Sequence, residues 1–331
     1  MTQDTRSIES AAPPADAAFP AINRGYDTVF RAGRMSLGLV VPLEAYPKSR
    51  RPTLERHVER ARLAERLGFR ALWLRDVPFD VPSFGDAGQL HDPFVYLGYL
   101  AAHTTDIALG TASIVLPQRH PAHVAKAAAS ADVLSGGRLI LDVASGDRPE
   151  EYPALGLPFD ERGARFRESL TYVERVAEPR PAFTSPFGDL AGQVDLLPKP
   201  TAGRLPLLVT GGSQQAPDWL ARHGDGWMIY PQPPALQARI VADWRARTAA
   251  AGGPAKPVLQ SLYLDLADDP AEPPRRIHLG LRTGSDHLVE HLGAVGEAGV
   301  NHVALNLRFQ RGDVEEAMQR LAADVLPHFH D

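Results

Sequence analysis

The chain has 331 residues, 44% of them hydrophobic, a net charge of −5, an isoelectric point near 6.2 and no cysteine. That is apolar material for one large α/β barrel or two ordinary domains. The acidic balance offers no basic face for nucleic acid, and the missing thiols exclude disulfides, thiolate metal centres and cysteine nucleophiles.

Met1 to Pro20 is rich in Ala, Pro, Ser and acids and has no apolar signal core. The sequence therefore predicts a disordered or extended tail over residues 1–30, a single domain over residues 31–331 and a cytoplasmic protein. No apolar run approaches the ~20 residues of a membrane span. Ser36–Val41 reads as strand one. Pro52 opens a helix with Leu54, Val58, Ala61, Ala64 and Leu67 on one face. Arg70–Arg75 is strand two, and Asp92-Pro93 caps the next helix. Ile107–Leu116 is strand three, Pro121 opens a helix that stops at Gly136-Gly137, and Arg138–Ala144 is strand four. Asp160–Val176 is helical. Pro179 to Arg204 is Pro/Gly-rich and reads as an insertion between strands four and five, a lid or wall of the site. Leu205–Thr210, Asp225–Tyr230, Val258–Leu266 and Asn301–Leu307 complete eight strands, the last two separated by a Pro-rich loop and a helix. Eight strands alternating with helices predict a (β/α)8 TIM barrel. A doubly wound sheet is less consistent, because Val41-Pro-Leu-Glu-Ala-Tyr46 lacks a Gly-rich dinucleotide turn.

In such a barrel the chemistry sits at the C-terminal strand ends. Thr210-Gly-Gly-Ser-Gln-Gln215 there suits a phosphate, and equally an ordinary capped helix start. It is no nucleophile elbow, because Gln215 replaces the closing glycine. Ala144-Ser145-Gly146-Asp147-Arg148 either seats a planar ring with Arg148 meeting an anion, or forms a tight loop with a surface ion pair. Asp76 is a general base or simply the partner of Arg75. His120 and His123 stand three apart with no carboxylate cluster beside them, so no metal site is expected. His120 reads as a stacking or hydrogen-bonding group. Arg162 and Arg165 share a helix face.

Leu109-Gly-Thr-Ala-Ser-Ile-Val-Leu-Pro-Gln-Arg-His-Pro121, Asp132-Val-Leu-Ser-Gly-Gly-Arg138, Ala144-Ser-Gly146 and Val209-Thr-Gly-Gly-Ser213 follow in order on the expected strands. With them, the chain from about Met35 to Pro327 resembles the bacterial luciferase-like flavin monooxygenases. The resemblance implies a barrel holding reduced FMN, or alternatively the deazaflavin F420, at the strand C-termini. Ser213 then contacts the phosphate, beside Gly212 and near Thr210 and Gly211. Ala144 lies near the flavin C4a edge, where O2 adds to give a C4a-(hydro)peroxyflavin. Thr111 to Ser113 and Ala144 to Gly146 form the floor under the ring. Ser145 stands where luciferase has a phosphate-binding arginine, which leaves Arg148, Arg162 and Arg165 as candidate cations.

The strand-two end departs from the family: Arg75-Asp76-Val77-Pro78 replaces a Glu-His-His-like run. The aldehyde light reaction is therefore not expected, and Asp76, Arg75 and His120 are the candidate orienting or protonating groups. The resemblance further implies a small organic substrate with O2, reducing power from NAD(P)H or a separate NAD(P)H:flavin reductase, and a homodimer. The competing readings are an F420-dependent hydride transferase, a non-catalytic flavin-binding protein and a sugar-phosphate aldolase or isomerase. The last would want a lysine or a Glu/His pair at strand ends, and Lys48, Lys126, Lys199 and Lys256 all fall in expected loops or helices.

Overall fold

Alternation along the strands decides what fills the barrel. In the computed structural model, which describes residues 18–85 and 88–330, strand β1 (Ser36–Val40) turns Leu37 and Leu39 to the surrounding helices and Gly38 and Val40 inward. Strands β2 (Ala71–Leu74), β3 (Ala108–Thr111), β4 (Ile114–Val115) and β5 (Leu139–Ala144) follow the same rule. So do β8 (Leu207–Thr210), β9 (Gly226–Ile229), β10 (Val258–Leu266) and β13 (His302–Asn306). Two hairpins supply the remaining strands: β6 (Ala182–Ser185) with β7 (Gly188–Ala191), and β11 (Arg275–Ile277) with β12 (Gly280–Thr283).

All barrel pairings are parallel, in the order β10-β13-β1-β2-β3-β5-β8-β9, and β9 pairs with β10 to close the ring. The helices α2 (His57–Arg66), α3 (Pro93–His103), α4 (Pro121–Leu134), α6 (Arg162–Val176), α7 (Pro217–His223), α8 (Pro234–Ala250), α9 (Ser285–Glu297) and α10 (Val314–Arg320) wrap it, and a short helix, α5 (Glu151–Ala154), follows β5. This is the expected (β/α)8 TIM barrel. No described helix is long and apolar enough to cross a membrane.

Five local expectations change. The expected tail lies outside the described residues up to 17, but Arg24–Val29 is a helix, α1. Ile22, Tyr26, Val29 and Phe30 pack on the inward residues Ala108, Ile140 and Leu208, closing the N-terminal end of the barrel. Strand three breaks at Ala112-Ser113, whose peptide bond is cis, and both parts pair with β5. The helix expected from Pro52 begins at His57. Leu54 and Arg56 sit at φ 59° and 55°, and the Glu44 carboxylate accepts from the N–H groups of Thr53 and Leu54 instead. The Pro/Gly-rich insertion folds as the β6–β7 hairpin, with Phe183 and Phe187 against Tyr172 of α6. The expected Pro-rich loop before α9 contains the β11–β12 hairpin, and β12 pairs with the upper half of β10.

Candidate active site

The strand C-termini surround a cavity of about 800 Å³. One side of it comes from β5 and β8. Ala144, Ser145, Gly146 and Arg148 line it after β5, and Thr210, Gly211 and Ser213 after β8. Gly146 sits at φ +77°, and a Cβ there would lie 2.7 Å from Val115 Cγ1, so only glycine fits. A Cβ at Gly211 would meet nothing within 4 Å, so the backbone borders open space. Ser213, itself at φ +43°, donates its hydroxyl to the Thr210 carbonyl at 2.8 Å. Gly212 faces a second cleft of about 490 Å³ between α7 and α8 and does not line the main cavity.

Arg148 is the buried cation of this side. Its guanidinium lies 4.3 Å from the centre of the Phe84 ring, and among the described residues its sole hydrogen-bond acceptor is Glu151 at 3.4 Å. Its Nε is buried with no partner. Arg162 and Arg165, the other cations expected near the phosphate, lie elsewhere. Arg162 covers the Phe159 ring and donates to the Phe159 carbonyl. Arg165 donates to the Pro117 carbonyl and stacks on Phe187. The reason is local: the turn of α6 that carries them faces neighbouring loops.

At the strand-two end Asp76 was expected either as a general base or as the partner of Arg75. Asp76 lines the cavity, but Arg119 grips its carboxylate from both sides, Nη2 to Oδ1 at 2.7 Å and Nε to Oδ2 at 3.0 Å. The Val115 N–H adds a third bond at 3.1 Å. With its lone pairs so engaged, the side chain, 1% exposed, is an anchor for β4. The pair also holds Arg119 strongly in its charged form, reinforced by Asp92. Arg75 lines the cavity beside it. His120 does not. Its Nδ1 accepts from Ala122 N–H at the start of α4, and its Nε2 bonds the Phe187 carbonyl of the insertion. It is a brace outside the mouth.

Thr111 lies beneath the floor, exchanging bonds with the Asp142 backbone through its hydroxyl. Ser113 reaches the cavity. Asp142 points inward on β5, wholly buried, and Thr210 Oγ1 donates to its carboxyl at 2.8 Å. Burial pushes this carboxyl well above the usual carboxylate range.

Of the opposite side the sequence marks only the strand ends at Tyr230 and Arg308, and none of the candidate site residues lies there. That side consists of Tyr230 after β9, Tyr263 on β10, His278 and Leu279 at the β11–β12 turn, and Arg308 and Phe309 after β13. Tyr263 was legible in principle, since it shares the inward parity of Leu259 and Ser261. His278 carried no signal, because its hairpin was hidden in a Pro-rich stretch. Burial, and then the nearby Asp147, raise the Tyr230 phenol above its ordinary value, so it stays a neutral donor at physiological pH. The mouth is partly covered by the Pro82–Phe84 turn, where the Ser83 hydroxyl donates to Glu150 at 2.7 Å.

The family model for luciferase-like monooxygenases matches residues 35–327. An uncharacterised protein of Mycobacterium tuberculosis is 31% identical over 241 residues, covering 67% of this chain and 83% of the relative. Among solved structures, an F420-dependent secondary alcohol dehydrogenase with an F420–acetone adduct superposes at a TM-score of 0.73 and 19% identity, covering 90% of this chain and 100% of that one. The oxygenating constituent of 3,6-diketocamphane monooxygenase from Pseudomonas putida, with FMN, superposes at 0.70 and 16%, covering 89% and 98%. The barrel, its C-terminal mouth and the family match agree: the chain belongs to the luciferase-like monooxygenase family and is an oxidoreductase.

Proposed function

We propose that this protein is an FMN-dependent monooxygenase that uses reduced flavin and O2 on a small organic substrate. The observation that carries the reading is Arg148, a cation buried in the cavity wall with one long hydrogen bond and an unpartnered Nε. A buried guanidinium so poorly matched within its own chain suits an anionic ligand. With the open backbone at Gly211 and the small residues Ala144 to Gly146, the donor set fits a flavin phosphate and a flat ring. Arg148, Gly211 and Ser213 would hold the phosphate; Ser113, Ala144, Ser145 and Gly146 would border the ring. Gly212, Thr111, Arg162, Arg165 and His120 support this site from outside the cavity.

Reduced flavin supplies the two electrons that O2 activation requires. The chain's own contribution is to exclude water and to orient the substrate. Phe84 and the hairpin tip at Leu279 wall the mouth, and Tyr230 presents a neutral hydroxyl to whatever occupies it. Arg75 is the proposed orienting cation and Asp76 its neighbouring anchor. No part of the β6–β7 insertion lines the cavity among the described residues, so the covering role expected of it passes to the β11–β12 hairpin. Reduction by a separate NAD(P)H:flavin reductase belongs to the same reading. So does a homodimer: α3 exposes Val95 and Tyr99 and carries no Asp, Glu, Lys or Arg, a face a second copy would cover.

Titration of the purified protein with FMN and with F420, each oxidised and reduced, tests the proposal. Saturable FMN binding with O2 uptake by the reduced complex is expected. Saturation by F420 alone would replace oxygen chemistry by hydride transfer, the reading that the F420-binding neighbour favours. No binding of either ends the proposal.

A further inference from the structure

The cavity has two chemically different halves. The β5/β8 half is small-residue backbone with Arg148. The half built by β10, β13 and the β11–β12 hairpin is aromatic. Tyr263 and Phe309 have ring centres 5.1 Å apart, Tyr263 and His278 5.9 Å, and His278 and Phe309 6.4 Å. All three rings line the cavity. Arg308 lines it too, but its own chain engages it. Nη2 donates to the Ser49 carbonyl at 3.3 Å, and the guanidinium lies 4.9 Å from the Tyr46 ring centre and 5.3 Å from that of Phe309. No acid lines this half among the described residues. Asp76, Asp147 and Glu151 come from the ends of β2 and β5.

Asn306, at the end of β13, supplies the polar group of this wall. It is only 6% exposed, and it lines the cavity. Its Oδ1 accepts from the Arg308 N–H at 3.1 Å. That bond fixes the amide: the acceptor end is turned to the backbone, and the NH2 end is left over. Among the described residues Nδ2 has no hydrogen-bond partner. A buried amide whose donors meet nothing in the protein suits an acceptor brought by a ligand. Tyr263 stands beside it, because Tyr263 and Asn306 are direct partners in the parallel pairing of β10 with β13. The hydroxyl of Tyr263 has no hydrogen-bond partner among the described residues either, and the same holds for Ser261, two residues lower on the same face. The wall is also held rigidly. A Cβ at Gly280 would fall 1.8 Å from the Tyr263 carbonyl oxygen, so the hairpin lies directly on the β10 backbone.

We propose that this half is the substrate subsite and that it takes an uncharged aromatic carbonyl compound, with the ring against Tyr263 and Phe309 and the carbonyl oxygen accepting from Asn306 Nδ2 and the Tyr263 hydroxyl. The inference rests on the flavin reading for what happens to that substrate, but not for its binding. A carbonyl oxygen has two lone pairs and no hydrogen, so it matches a pair of donors. A hydrocarbon leaves both donors unmet, and a carboxylate gives up its hydration for neutral partners. A flat ring gains face and edge contacts here that a puckered ring of equal size cannot make.

The test compares four probes by isothermal titration calorimetry on the full chain, with and without FMN: 2-acetylnaphthalene, 2-ethylnaphthalene, 2-acetyldecalin and 2-naphthoate. The aryl ketone is expected to bind about tenfold more tightly than each of the other three. Its carbonyl stretch, read by difference infrared spectroscopy, should move to lower wavenumber on binding. Asn306→Asp keeps the acceptor for the Arg308 N–H and removes the donor. It should weaken ketone binding about tenfold, return the stretch toward its free position and leave the affinities for 2-ethylnaphthalene and FMN unchanged. Tyr263→Phe, a milder change, keeps the ring; it should reduce ketone affinity and the infrared shift while preserving the preference for the flat ring over the decalin. Equal binding of the four probes, tighter binding of naphthoate than of the ketone, or no probe binding while FMN binds overturns the proposal. So does an infrared shift that both variants leave in place. A loss of FMN affinity as large as that for the ketone in either variant overturns it too, because it would place the cofactor in this half. Ketone binding with the stated preferences in a protein that binds no flavin would sustain the subsite and sink the flavin reading alone.

Discussion

Asp76 and Arg148 show how much a residue's partners decide. Both end up at the cavity, and both could have served as charged groups of a site. Asp76 receives three hydrogen bonds from Arg119 and Val115, so its charge is spent inside the protein. Arg148 receives one weak acceptor. Replacing it by glutamine should therefore weaken FMN binding by about 10- to 100-fold, the size of a charge-assisted bond to phosphate, at about 1.5–3 kcal/mol. A flavin fluorescence titration reads it, and an unchanged affinity would remove Arg148 from the phosphate site. Asp142 carries the converse prediction. Its carboxyl is pushed upward by burial, so the folded chain holds a proton that the unfolded chain releases above about pH 4. Stability is thus lost as pH rises above about 4, until the folded carboxyl itself ionises. Asp142→Asn keeps an uncharged group beside Thr210. Its stability relative to the native chain, from urea unfolding, should improve between pH 5 and pH 8. An equal difference at both values would show the carboxyl to be ionised throughout.

Helix α1 and the residues flanking it close the barrel's lower end with four apolar side chains and are tied in by polar ones. Asn23 caps it by accepting from Tyr26 N–H, and donates to Asp132 and the Leu139 carbonyl. Gly25 is required because a Cβ would lie 2.4 Å from the Arg138 carbonyl oxygen. Tyr26 is wholly buried and donates its hydroxyl to the Asp225 carbonyl at 3.0 Å. Tyr26→Ala should cost about 3–5 kcal/mol, as for other buried aromatic truncations. Chemical denaturation measures it; a cost below about 1 kcal/mol would mean that α1 is not part of the cooperative barrel. The same element explains what the sequence conceals. The eight strands were legible because β-branched and aliphatic runs alternate with helical periods over ten or more residues. α1 has six residues, fewer than two turns, beside an Ala/Pro-rich tail. The β11–β12 hairpin follows Pro270 to Pro274, so composition masked its short pairs. Small residues at Ala144–Gly146 and Gly211 were likewise readable as the site's floor. Arg119 meeting Asp76 was not, because 43 residues separate them and only the pairing of β2 with β3 brings the loops after these strands together.

At the scale of the whole barrel, the buried His302 is expected to make stability depend on acid. His302 lies inward on β13 with no exposed surface. Its Nε2 accepts the indole N–H of Trp73 at 2.8 Å, so Nδ1 carries the proton and donates to Ser36 Oγ at 2.7 Å. Ser36 passes its own hydrogen to the Val29 carbonyl at the end of α1. Gly38 and Gly110 leave the room: a Cβ at either would fall within 2.8 Å of the His302 or Trp73 ring. A second proton on the imidazole would point at the Trp73 N–H, a donor facing a donor. Burial, and then nearby His330, lower its pKa from 6.5 to about 3. The unfolded chain takes up this proton below pH 6.5 and the folded chain does not. Stability is therefore complete above that value and falls as pH drops toward 3, by up to about 1.4 kcal/mol per pH unit for this one proton. His330, lowered to about 4 by its own burial, adds to the slope within the same window. His302→Asn removes the titration at some cost in stability at pH 7. Between pH 6.5 and 4 the variant's unfolding free energy should decline less steeply than the native chain's, by close to one proton. Parallel slopes in urea titrations across that range would show that His302 is protonated in the fold and that the Trp73–His302–Ser36 chain is not what makes the barrel fail in acid.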